Sequence, residues 1–167
     1  MLSESTRQRV DRELAKYPAD QRQSAIIAAL SIVQQECGWV SPESERDLAA
    51  YVGMPPIAVH EVVTFYNMFN TRPVGRYKLN VCTNLPCQLG GGAQAAQYLS
   101  EKLGVAMGET TADGMFTLQE SECLGACGDA PVALVNDRRM CSFLSKDRLD
   151  AMIEELRGEA RAQGGAA

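Results

Sequence analysis

The sequence has 167 residues and a mass of 18.1 kDa, which fits one ordinary domain or a small domain with a helical extension. It is 46% apolar and 22% charged, so it can bury a core and is not broadly disordered. Its 16 Lys and Arg against 21 Asp and Glu give a net charge of -5, which lacks the electrostatic footprint of a nucleic-acid binder and the polybasic cluster of a lipid-surface protein. No apolar run approaches the length of a membrane span, and Met1 to Arg7 carries no apolar signal core, so a cytoplasmic chain is expected.

The first part of the chain reads as helical. Val10, Leu14 and Tyr17 follow helical spacing, and Pro18 ends that helix. Asp20 with Gln23 predicts a capping box opening a second helix, whose core face is Ile26, Leu30 and Val33 and which Gly38 closes. Ser41-Pro42 predicts the N-cap and first position of a third helix, stopping at Gly53. Pro55-Pro56 starts a fourth with Ile57, Val62, Val63 and Tyr66. A small helical bundle is expected over residues 1–72, and the Pro- and Gly-bearing stretch from Asn70 to Arg76 marks the boundary.

Beyond it the period changes. Tyr77, Leu79 and Val81 alternate with Lys78 and Asn80 as in a strand. Ala96, Leu99 and Leu103 mark a helix from about Gly92 to Leu103, and Phe116 and Leu118 alternate again. Val132 to Val135, the Asn136-Asp137 turn and residues 139–143 predict a strand pair. Ser145 caps a last helix with Leu149, Ile153 and Leu156 on its core face. The fold class is α/β, a mixed four-stranded sheet with flanking helices over residues 73–160. Fraying is expected from Gly158, and 161–167 reads as a flexible tail.

Six cysteines in a reducing compartment point to metal or redox chemistry rather than disulfides. Cys82 ends the first strand and Cys87 follows; Cys123 follows the second strand and Cys127 comes after three residues. The pattern is C-x4-C, 35 residues, C-x3-C. Thiolates that hold a soft metal must converge, and two loops at one end of a sheet can bring them together. Gly90 to Gly92, Gly125, Ala126 and Gly128 let backbone N–H groups approach the sulfurs. Gaps of four and three suit two bridged irons, each with one cysteine pair, better than the two-residue knuckles of zinc sites; zinc, redox disulfides and unligated structural cysteines remain as alternatives.

The other features have plainer readings. Cys37 reads as a small residue near a helix end, and Cys141 as a half-buried strand thiol. His60 reads as a surface or interface histidine. Part of the stripe Val62, Val63, Phe65, Tyr66, Met68 and Phe69 must be core, and the rest could meet a second surface. A helix-turn-helix reading of the third and fourth helices fails on charge, because Glu43, Glu45, Asp47 and Glu61 oppose phosphate. Gly90-Gly91-Gly92 lacks the Lys-Ser/Thr of a P-loop and reads as shelter for sulfurs.

The segments Val-Cys-Thr-Asn-Leu-Pro-Cys (81–87) and Glu-Cys-Leu-Gly-Ala-Cys-Gly-Asp-Ala-Pro (122–131) resemble the thioredoxin-like [2Fe-2S] ferredoxin family. More narrowly, they resemble the 24 kDa (E) subunits of respiratory complex I, NADH:quinone oxidoreductase. Residues 108–118, Gly38-Trp39-Val40 and residues 62–69 are similar to the same family, over about residues 10 to 157. Residues 138–143 depart from the family's acidic, Tyr-bearing stretch. The resemblance implies a thioredoxin-like domain carrying one [2Fe-2S] cluster on Cys82, Cys87, Cys123 and Cys127, with no catalytic residue of its own. It implies a partner, the flavin- and NADH-binding (F) subunit, whose FMN exchanges single electrons with the cluster. The pair would form a heterodimer within a larger assembly peripheral to the inner (plasma) membrane. Diaphorase subunits of NAD-dependent formate dehydrogenases and NAD-reducing hydrogenases share the pattern. A zinc-stabilised interaction module is the alternative of another class; a free thioredoxin-like oxidoreductase would need the C-x-x-C that this chain lacks.

Overall fold

The protein's three-dimensional structure, a computed structural model, describes residues 2–164 and divides into two compact units, Met1–Pro73 and Val74–Ala167. In the first unit, α1 (Glu4–Leu14) starts at Ser3, whose hydroxyl accepts the Thr6 N–H. It stops at Leu14, so Tyr17 lies beyond it and is exposed rather than on its core face. The expected capping box of Asp20 and Gln23 does not form. Residues Ala19–Ala25 make a tight 3-10 stretch broken at Gln21, and α2 (Ile26–Cys37) follows Ala25 without a side-chain cap. The reason is local: the Gln21 N–H bonds the Pro18 carbonyl at 2.9 Å, an i→i+3 closure that starts a 3-10 turn from Pro18 rather than an α-helix from Asp20.

Gly38 ends α2 at φ 80, a left-handed position that a side chain disfavours. Ser41 accepts the Ser44 N–H at 3.0 Å and Pro42 opens α3 (Pro42–Val52), with α4 (Pro56–Phe65) after it. Val10, Leu30, Val33, Leu48, Val52, Val59, Val63 and Phe69 share one buried core. Gln34 ties the end of the unit to α2: its amide donates to the Met68 carbonyl at 2.8 Å and accepts the Asn70 N–H at 2.6 Å.

The second unit is a four-stranded mixed sheet in the order β2-β1-β3-β4, made of β1 (Tyr77–Cys82), β2 (Phe116–Ser121), β3 (Ala133–Val135) and β4 (Arg139–Cys141). β1 and β2 are parallel, joined through α5 (Leu85–Leu89) and α6 (Gly92–Leu103). Their register runs from Tyr77 opposite Phe116 to Cys82 opposite Ser121. β3 is antiparallel to β1 and forms a tight hairpin with β4, whose turn residues Asn136 and Asp137 both take positive φ. Last comes α7 (Lys146–Gly164). Leu79, Val81, Leu99, Phe116, Leu118, Leu149, Ile153 and Leu156 form the core.

Three differences from the sequence reading have physical causes. All six residues of β1 are buried, although Lys78 and Asn80 alternate as if solvent-facing. β1 is central, and Asp137 satisfies both: its carboxylate lies 2.7 Å from the Lys78 ammonium and accepts the Asn80 amide at 2.7 Å. β4 stops at Cys141, because the Phe143 N–H turns away to the Asp129 carbonyl at 2.8 Å. α7 runs through Gly158 without fraying there and on past 161, where a tail was expected. Its apolar row extends Leu149, Ile153 and Leu156 to buried Ala160, which outweighs one helical glycine. The part of the expected tail at 165–167 lies outside the described residues.

Candidate metal centre

The parallel register explains why the cysteine pairs meet. Cys82 ends β1 opposite Ser121, and Cys123 lies two residues past Ser121, so both pairs emerge at the same end of the sheet. The strand ends are also cross-tied. Thr83 donates to the Glu120 carboxylate, and the Asn84 amide donates to Glu122 at 2.5 Å. Cys82 and Cys87 are 1% and 2% exposed and share a small apolar cluster with Val132. Leu124 and Ala126, from the loop between Cys123 and Cys127, pack against that cluster. One cysteine loop therefore lies over the other.

Cys123 and Cys127 are exposed, and their sulfurs are 3.7 Å apart. Two sulfurs on one tetrahedral metal, each about 2.3 Å from it, lie about 3.8 Å apart. The Gly125 N–H points at the Cys123 sulfur at 3.4 Å, and Gly125 takes φ 76 to allow it. Backbone closeness of the kind expected from the small residues is thus present there. At Gly92 a Cβ would fall 2.8 Å from the carbonyl oxygens of both Cys82 and Cys87, so only glycine fits under that loop.

The thiols feel one another. Burial is the main effect pushing the Cys87 thiol above its ordinary range; its hydrogen bond with Cys82 and the charges of Cys82 and Cys127 act the same way, while a backbone bond to Val132 opposes them. Cys127 is raised first by its hydrogen bond with Cys123, then by that group's charge, burial and Cys82. A bound cation would act in the opposite sense and favour the charged form of these thiols. Among the described residues no three His, Cys, Asp or Glu side chains form a single-ion site. The four thiols stand as an exposed pair, Cys123 and Cys127, and a buried pair, Cys82 and Cys87.

The remaining candidates lie elsewhere. Cys37 is exposed at the end of α2; Cys141 is half-buried beside the second core, and burial is the main effect raising its thiol. His60 lies on α4 with its Nδ1 2.9 Å from the buried Glu45 carboxylate of α3, a pairing between helices that spacing could not reveal. Of the apolar stripe, Val63 and Phe69 are core, whereas Phe65 is 80% exposed with its ring edge-on to Tyr66. The sequence reading also missed α5, which carries Cys87 inward and leaves Leu85 and Leu89 exposed beside it. A cleft of about 650 Å³ lined by Thr83, Gln88, Gln97, Glu101, Met107 and Glu120 lies nearby, and none of the four cysteines lines it.

The chain belongs to the thioredoxin-like [2Fe-2S] ferredoxin family, which matches residues 10–157. A ferredoxin carries electrons, so membership sets the class of function as iron–sulfur electron transfer. The chain is 41% identical over 154 residues to NADH-quinone oxidoreductase subunit 2 of Thermus thermophilus, covering 92% of this chain and 85% of that protein. It is also 41% identical over 147 residues to the E subunit of the NADH-quinone oxidoreductase of Rickettsia conorii, covering 87% of each. Among solved structures it is similar to the NAD+-reducing [NiFe]-hydrogenase in its air-oxidised state, with a TM-score of 0.68 and 26% identity over 80% of this chain. The match spans 23% of that longer chain. No helix among the described residues is long and apolar enough to cross a membrane.

Proposed function

We propose that this chain is the [2Fe-2S] subunit of an NADH:quinone oxidoreductase, with Cys82 and Cys87 holding one iron and Cys123 and Cys127 the other. The observation that carries the reading is the arrangement of four thiols as two pairs at one end of a parallel strand pair, the exposed pair already 3.7 Å apart. A bound [2Fe-2S] cluster supplies one-electron exchange, here with the FMN of a flavin- and NADH-binding partner subunit. This chain's residues hold and tune the centre. The buried pair anchors it away from water, the Gly125 N–H donates to the Cys123 sulfur, and the exposed pair leaves one edge open to a partner. Leu85 and Leu89, exposed beside Cys87, and Phe65 at the end of α4 with Tyr66 just after it offer the partner apolar contacts. The assembly is peripheral to the inner membrane through its other subunits. Identity of about two-fifths with the oxidoreductase subunits favours that parent complex; the hydrogenase likeness supports a diaphorase subunit as the second reading.

The test is iron, sulfide and the visible spectrum of the purified chain and of its six single Cys→Ser variants. Cys82→Ser, Cys87→Ser, Cys123→Ser and Cys127→Ser should each lose or alter the centre, and Cys37→Ser and Cys141→Ser should keep it. A colourless wild-type chain that holds zinc but no sulfide would refute the reading.

A further inference from the structure

We propose that Cys123 and Cys127 form an oxidisable dithiol in the metal-free chain, closing to a disulfide that bars loading of the metal centre until a reductant reopens it. The loading half of this statement rests on the ligand set proposed above; the thiol chemistry does not.

Two observations separate this pair from the other. The first is reach. The sulfurs are 3.7 Å apart on an exposed loop, so forming a bond of about 2.05 Å requires them to approach by about 1.7 Å. The loop turns at Gly125, and both side chains are exposed. The second is access. Cys82 and Cys87 are buried with Val132 against Leu124, Ala126 and Ala130, so of the two pairs a soluble oxidant meets the outer one. The four sulfurs thus divide into a protected half and an oxidisable half.

The oxidant is a low-molecular-weight disulfide such as oxidised glutathione. Cys123 is the nucleophile: its sulfur is exposed and is held in place by the Gly125 N–H at 3.4 Å. Its sulfur bonds to one sulfur of the oxidant and the other leaves as a thiol. Cys127 then attacks the Cys123 sulfur, and the second half of the oxidant leaves. Two protein thiols become one disulfide, and the oxidant's disulfide becomes two thiols. A dithiol reductant reverses both steps. In the closed form only Cys82 and Cys87 remain as thiolate donors, too few for a four-thiolate centre.

The experiment uses the full-length chain, freed of metal and reduced without oxygen, then equilibrated in glutathione buffers of graded potential. Free thiols are capped by alkylation, and intact mass and peptide mapping locate the rest. The expected product has lost two hydrogens, with the bridge between Cys123 and Cys127. Cys82 and Cys87 should become alkylated only in denaturant. A Cys82→Ser, Cys87→Ser double variant should close the same bridge, and Cys127→Ser should stop at a glutathione adduct on Cys123. A bridge mapping to Cys82 and Cys87, or a wild-type chain that accumulates the Cys123 adduct, would overturn the proposal.

In a second arm, reduced and oxidised chains receive ferrous iron and sulfide without oxygen. The reduced chain should take up both, and the oxidised chain only after dithiothreitol. Equal uptake by both forms would overturn the gating. No uptake by either form would strike the ligand assignment and the loading half with it, while the mapped bridge would still decide the thiol chemistry.

Discussion

Three glycines of the second unit make a graded test of how tightly the centre is built. At Gly158 on α7 a Cβ meets nothing within 4 Å, and the only effect of Gly158→Ala is the helix preference for alanine. That gain is about 0.5–1 kcal/mol. At Gly90 the added carbon would sit 3.1 Å from the Ala130 Cβ, a contact that a small shift relieves. At Gly92 it would sit 2.8 Å from the carbonyl oxygens of Cys82 and Cys87 and 3.0 Å from the Cys87 carbonyl carbon. Those atoms are backbone and cannot rotate aside, so the loop itself must move. Overpacking of this kind costs about 1–3 kcal/mol, and the helix gain at the first position of α6 offsets part of it, leaving a net loss of about 1–2 kcal/mol. For a unit of this size that lowers the thermal midpoint by about 5–10 °C. The moving loop carries both buried cysteines, so the same variant should also lose iron and sulfide or broaden the EPR signal of the reduced centre. Thermal unfolding, iron and sulfide content and EPR on the full chain read all three variants. A Gly92→Ala chain with wild-type midpoint and wild-type spectrum would refute the reasoning, whatever Gly90→Ala does.

Three other outcomes are expected. Phe65→Ala should leave the chain's own unfolding midpoint almost unchanged, since the ring is 80% exposed, while weakening capture of the flavin-binding subunit by about 2 kcal/mol, about thirty-fold, in a binding titration. Ser41→Ala removes the hydroxyl that accepts the Ser44 N–H and should cost about 1 kcal/mol in urea unfolding. The Asp150 carboxyl is held below its usual range, first by the Lys102 hydrogen bond and then by that of Tyr98. Its stabilising contribution is therefore complete above the unfolded carboxylate pKa and is lost as pH falls through the lower folded one. Asp150→Asn should flatten the acid limb of the unfolding midpoint between neutral pH and about 3.

The legible parts of this chain are those decided by neighbours in sequence. Ser41-Pro42, Gly38, Gly53 and the Gly92–Leu103 helix act through contacts within a turn, and the structure places each where its chemistry requires. The cysteine spacing marked the four thiols because strand ends and loops are also local features. What escaped was decided at long range. Lys78 and Asn80 look solvent-facing until Asp137, more than fifty residues away, supplies the carboxylate that lets them be buried. The Glu45–His60 pair joins two helices, and no periodicity announces it. α5 is a single five-residue turn with Pro86 near its start, too short for a helical period to appear. The Asp20–Gln23 error has the opposite cause: a strong local cap signal lost to the neighbouring Pro18.

The pairing of Cys82 with Ser121 separates two kinds of spacing. Within each cysteine pair the residue count sets where the sulfurs fall. Between the pairs a hydrogen-bonded ladder sets it, and the chain only has to be long enough to cross over. Loop length between α6 and the Thr110–Thr117 bridge could therefore change without moving the centre, whereas one residue inserted inside β1 or β2 would slide one half of it by a strand step, about 3.3 Å, and turn its side chains to the other face. Relatives with this centre should accordingly differ widely in the middle interval and hardly at all in the outer two. A search keyed to one fixed middle interval would overlook them.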